Sequence, residues 1–149
     1  MRKRFHKGTV LVIDDEDAVR ESIALLLEIA GYLVLAASNG VEALRRSAHL
    51  RAPAVAVVDL TMPVMDGREL IEAMRKSESL RSIPIILISG RDHPAVEGVD
   101  AVLIKPFRGE KLIALVAKLS ATSRQSQDPA FAKRGELRDA DERVALKRR

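Results

Sequence analysis

The chain alternates between short apolar runs and longer stretches in which apolar residues recur every three or four positions. Thr9 to Asp17, TVLVIDDED, sets the pattern, an apolar run that ends abruptly in four acids. So short a run, rich in Val and Ile, predicts a buried strand. Val19, Ile23, Leu26, Leu27 and Ala30 then repeat at helical spacing. Gly31 ends that helix, because glycine accepts the left-handed conformation that closes one. Leu33–Ala37 predicts a second strand, and Ser38-Asn39-Gly40 a turn and N-cap before a helix lined by Val41, Leu44 and Ala48. Ala54–Val58 predicts a third strand, followed directly by Asp59.

The loop from Leu60 to Gly67 holds Met62-Pro63 and Asp66-Gly67, both turn chemistry, and Leu70, Ile71 and Met74 mark a third helix. A fourth strand, Ile85–Ile88, runs into Ser89-Gly90, and a fifth, Ala101–Ile104, into Lys105-Pro106-Phe107. Leu112, Leu115, Val116 and Leu119 line a last helix. Alternating strands and helices, with strands apolar on both faces, predict an α/β fold: a parallel sheet covered by helices on both sides. In such a sheet ligands bind beyond the carboxyl ends of the strands, so polar residues at that edge carry the chemistry.

Composition narrows the classes. Hydrophobic residues make up 47% of the 149 and aromatics only 3%, so there is material for one aliphatic core. Cysteine is absent, which removes disulfides and thiolate chemistry, and His6, His49 and His93 lack ligand spacing for zinc. No apolar run approaches a membrane span or a signal peptide, and a cytoplasmic location is expected. The net charge of +4 is unevenly spread: residues 1–7 carry +4 and 121–149 carry +3, which leaves −3 for 8–120. The basic excess therefore lies in the ends, and no folded basic face suggests direct DNA binding. Three segments are expected: a basic extension at 1–7, a domain at 8–120, and a charged tail at 121–149, disordered or partly helical. Leu137, Ala140 and Val144 form one narrow apolar stripe in that tail.

At the strand ends stand Asp14 and Asp15, then Asp59, Ser89 and Lys105. Two carboxylates about 4 Å apart repel by roughly 4 kcal/mol at an effective dielectric near 20, so a proton or a divalent cation must offset them. From the first stretch alone, Asp15 or Asp17 would serve equally well as a helix cap with solvated neighbours. The other strand ends change the balance. Oxygen donors suit a hard cation such as Mg2+. A carboxylate can attack a phosphoryl group and become an acyl phosphate, with cations and hydroxyls neutralising the transferring oxygens.

These residues resemble the receiver domain of two-component response regulators. The matching stretches are VIDDED, AVAVVD ending in Asp59, LTMPVMDG, IPIILIS ending in Ser89, and KPF at 105–107, in order over about 8–120. The resemblance implies a flavodoxin-like, doubly wound five-stranded sheet in order 2-1-3-4-5, an order for which the handling of this fold class already cites a member of the family. It implies that Asp59 accepts a phosphoryl group from a partner histidine kinase or phosphotransfer protein. Asp14, Asp15, Asp59 and the Thr61 backbone carbonyl would hold Mg2+ or Mn2+, Lys105 would contact the phosphoryl group, and Ser89 would be the switch hydroxyl. Lys105-Pro106 would be the family's cis bond. On this reading the chain is a stand-alone receiver, not an enzyme, that signals by protein–protein contact to a target the sequence does not identify.

Two departures stand out. Only seven residues, Arg91 to Glu97, separate Gly90 from Gly98, room for about one to two helical turns where the family has a full helix. Val102 occupies the position where the family often has Tyr or Phe. Two alternatives stay open: a phosphorylation-independent binding module on the same fold, and a phosphatase of the haloacid-dehalogenase type with an Asp15 nucleophile. A flavin carrier is disfavoured, because four acids would repel a phosphate from the first loop.

Overall fold

Residue-by-residue alternation builds two cores on one sheet. In strand β1 (Thr9–Ile13), Val10 and Val12 face one side, Leu11 and Ile13 the other, and all four are buried. Strands β3 (Val55–Asp59) and β4 (Ile85–Ser89) repeat the arrangement and are buried from end to end. A strand apolar on both faces needs a helical layer on each side. The computed structural model, which describes residues 6–49, 53–90 and 95–126, supplies them. Helices α1 (Asp17–Ile29) and α4 (Gly109–Ser126) cover the Val10/Val12 side through Ile23, Leu27, Leu112 and Val116. Helices α2 (Gly40–Ser47) and α3 (Gly67–Lys76) cover the other through Ala43, Leu70, Ile71 and Met74.

With β2 (Leu33–Ala37) and β5 (Ala101–Ile104) at the edges, the five strands are parallel in the order β2-β1-β3-β4-β5. This is the doubly wound, flavodoxin-like sheet expected from the sequence. Asp14 follows β1 directly, Asp59 ends β3, Ser89 ends β4 and Lys105 follows β5, so all four lie at one edge.

Several local expectations meet their physical reasons. Gly31 has φ +99° after α1, and its N–H donates to the Glu28 carbonyl. Asn39 caps α2 by accepting from the Glu42 N–H, and Glu42 in turn accepts from the N–H and hydroxyl of Ser38. The buried stripe of α2 is Gly40, Ala43 and Ser47 with Leu44 partly covered; Val41 and Ala48, expected on the core face, are exposed. Gly40 sits where any Cβ would meet the Met65 side chain at 2.7 Å, so this face of α2 packs directly on the loop after β3.

Between β4 and β5, residues 95–98 are irregular chain and turn, and the expected short helical segment falls partly on 91–94, outside the described residues, as does His93. One arginine ties this connection to α3. Arg75 donates to the carbonyls of Gly98, Arg81 and Ile83 and pairs with the Asp100 carboxylate, which also accepts from the Ile85 N–H. The planar guanidinium, with five donors, can satisfy so many acceptors at once where a lysine could not. Val102 is exposed on β5, opposite Leu87 of β4. At the far end α4 continues past the fully buried Ser120 to Ser126; Leu137, Ala140 and Val144 lie outside the described residues. No described helix is long and apolar enough to cross a membrane.

Candidate functional site

Three strand ends converge on one acidic pocket. Asp14, Asp15 and Asp59 each present a carboxylate oxygen, and the three atoms lie within 4.8 Å of one another. Asp14 and Asp59 are buried, while Asp15 is exposed at the mouth. The cap alternative does not hold: the N-cap of α1 is Glu16, with no side-chain cap bond, and Asp14 Oδ1 accepts from the Glu16 N–H at 2.9 Å.

Lys105 supplies the one cation in the pocket among the described residues. Its Nζ lies 3.3 Å from Asp59 Oδ1 and 3.8 Å from Asp14 Oδ2. Burial pushes the Asp59 carboxyl above the ordinary aspartate range, and the Asp14 charge adds to this. Lys105 pulls the other way, and Asp15 raises it further. One ammonium therefore does not balance three carboxylates.

The same imbalance tests the pocket as a metal site. Asp14 Oδ2 is buried and accepts no hydrogen bond, a costly state that the Lys105 ammonium 3.8 Å away offsets only in part. The donors are all oxygens, as a hard dication requires. The three carboxylate oxygens, all within 4.8 Å of one another, are near enough to serve a single ion. The residues fit a divalent cation.

The remaining residues named from the sequence lie around this pocket. Ser89 is buried at the end of β4, its hydroxyl donating to the Gly90 carbonyl at 3.2 Å and not to a carboxylate. The Lys105 N–H donates to the Ser89 carbonyl at 2.8 Å, which makes Ser89 and Lys105 neighbours on the rim. The Lys105-Pro106 bond is cis, as the resemblance implied. Thr61 is exposed in the loop after β3. In that loop the Met65 N–H donates to the Pro63 carbonyl across Val64, whose φ of 70° is a γ-turn geometry uncommon for a β-branched residue.

Two residues of this region escape a sequence reading. Gly67 starts α3 against the main chain of Asp59 and Leu60, and its N–H donates to the Leu60 carbonyl. Arg20, on the first turns of α1, donates to the Asp14 carbonyl at 2.8 Å and pairs with Asp17. The i,i+3 spacing of Asp17 and Arg20 was a legible signal for the second of these.

Residues 10–117 match the family described as the response regulator receiver domain. Among curated relatives the chain is 33% identical to response regulator Rre1 of Synechocystis over 127 residues, covering 80% of this chain and 54% of that protein. It is 38% identical to response regulator MprA of a Mycobacterium species over 126 residues, with the same coverages of 80% and 54%. The chain thus spans about half the length of the curated relatives it matches. Among solved structures it is similar to the signal receiver domain of a histidine kinase from Syntrophus aciditrophicus, with TM-score 0.72, 30% identity, and 77% and 91% of the two chains covered. It is also similar to the chemotaxis regulator CheY4 of Vibrio cholerae, with TM-score 0.68, 29% identity, and 75% and 98% covered.

Proposed function

Since this chain belongs to the receiver-domain family of response regulators, we propose that its acidic pocket accepts a phosphoryl group on Asp59, stores it briefly and signals by protein–protein contact. The observation that carries this reading is the meeting of Asp14, Asp15 and Asp59 within 4.8 Å, with Lys105 against two of them.

The donor is the phosphohistidine of a histidine kinase or phosphotransfer protein in the cytoplasm. An Asp59 carboxylate oxygen attacks phosphorus; the new O–P bond forms as the P–N bond breaks, and the imidazole leaves. Lys105, already at Asp59, neutralises charge on the phosphoryl oxygens, and the Ser89 hydroxyl leaves the Gly90 carbonyl to donate to one of them. Asp14, Asp15 and Asp59, with the Thr61 carbonyl, would hold Mg2+ or Mn2+, which would offset the negative charge of the pocket and of the incoming phosphate. Water later attacks phosphorus; the Asp59 O–P bond breaks, inorganic phosphate leaves, and the Asp59 carboxylate is restored. On this reading the protein catalyses only its own phosphorylation and dephosphorylation.

The short β4–β5 connection and the exposed Val102 support a second reading, a binding module that works without phosphorylation. Treatment with phosphoramidate and Mg2+, then borohydride reduction and peptide mapping, separates the two. Phosphoryl acceptance predicts reductive conversion at Asp59 alone. Unmodified Asp59 at every metal concentration leaves the binding module standing.

A further inference from the structure

The turn that carries Asp14 and Asp15 is held by a side chain outside the acidic trio. Arg20 is largely buried for an arginine, with its side chain 17% exposed. One arm of its guanidinium donates to the Asp14 carbonyl at 2.8 Å, and the other pairs with the Asp17 carboxylate, itself 79% exposed. Asp14 is meanwhile fixed at its other polar groups: its N–H donates to the Ala37 carbonyl and its Oδ1 accepts from the Glu16 N–H. Arg20 therefore joins the two ends of the acidic turn, residues 14 and 17, and draws Asp17 onto its own fork.

We propose that Arg20 is a positioning residue for the metal: it holds the 14–17 turn so that Asp14 Oδ2 and the Asp15 carboxylate face one ion, and it keeps Asp17 out of the trio. The inference rests on the metal-dependent reading of the site. Its physics has a sign that separates it from a simple charge effect. A guanidinium near a cation site repels the cation, so if Arg20 acted only through its charge, its removal would tighten metal binding. If it acts by holding the ligands, its removal loosens binding, as losses of groups that orient metal ligands do, by 10- to 100-fold.

Isothermal titration of the purified chain with Mg2+, and with Mn2+, reads that sign in wild type, Arg20→Gln and Arg20→Lys. Positioning predicts about tenfold weaker binding in R20Q. R20K is predicted to stay weakened, because an ammonium keeps the charge and lacks the fork that reaches the carbonyl and Asp17 together. In metal-free protein, amide exchange at Glu16, whose N–H is held by Asp14, should accelerate in both variants. Unchanged or tighter binding in R20Q, or wild-type binding in R20K, overturns the proposal. Should R20Q fail to fold by circular dichroism, R20K carries the test alone. A wild type that binds neither metal would instead refute the reading of the site itself, so the two failures are distinct.

Discussion

Gly67 packs so closely on Asp59 that a Cβ at position 67 would overlap the Asp59 carbonyl oxygen and come within 2.8 Å of the Leu60 Cα. Both neighbours are main-chain atoms and cannot rotate away. Gly67→Ala is therefore expected to destabilise the fold by about 1–3 kcal/mol, as overpacking does, and to displace the Asp59 backbone. Urea unfolding gives the first quantity and amide shifts around Asp59 the second; a wild-type midpoint would contradict the contact.

Asp59 is held above the ordinary aspartate range by burial and by Asp14. A carboxyl with a raised folded-state pKa keeps its proton longer folded than unfolded. Its contribution is favourable below pH 3.8, and it is lost as pH rises from there through the raised folded value. At neutral pH and without metal, Asp59→Asn should thus be more stable than wild type. The difference should shrink toward zero as the pH is lowered and should shrink again when Mg2+ is added. Thermal melts of the pair across pH, with and without Mg2+, check both trends.

Lys105 occupies the place of a counter-ion to Asp59 and Asp14, at 3.3 and 3.8 Å. Removing it leaves the carboxylates to the metal alone. Lys105→Met should bind Mg2+ severalfold more tightly yet take phosphoryl groups from a small donor more slowly, because the charge facing the transferring oxygens is gone. Titration calorimetry and a time course of adduct formation report the two opposed effects.

Arg75 serves the carbonyls of Gly98, Arg81 and Ile83 and the Asp100 carboxylate. Arg75→Ala removes these bonds, of which only the one to Ile83 is partly buried, and is expected to cost about 1 kcal/mol. Hydrogen exchange should report the loss first at Ile85, whose N–H shares Asp100.

The sheet was legible because β1, β3 and β4 are apolar on both faces and turn residues bracket each strand. The pocket was legible for a related reason: a parallel sheet brings its carboxyl ends together, so Asp14, Asp59, Ser89 and Lys105 could be read as one group before any coordinates. What escaped depends on contacts that leave no period in the chain. Val41 and Ala48 are apolar yet exposed, while the buried face of α2 includes Gly40 against Met65, a residue in another loop. Arg75 and Gly67 act on main-chain atoms that come near only in the folded state.

The chemistry proposed for the pocket is phosphoryl uptake at position 59 when the three carboxylates have a divalent ion. Intact mass after incubation with acetyl phosphate tests it most directly, on wild type and Asp59→Asn side by side, each with Mg2+ and with a chelator. A mass gain of one phosphoryl group on wild type with Mg2+, and on neither Asp59→Asn nor the chelated sample, is the predicted result. An equal gain on Asp59→Asn, or none on wild type at any Mg2+ concentration, would contradict the account.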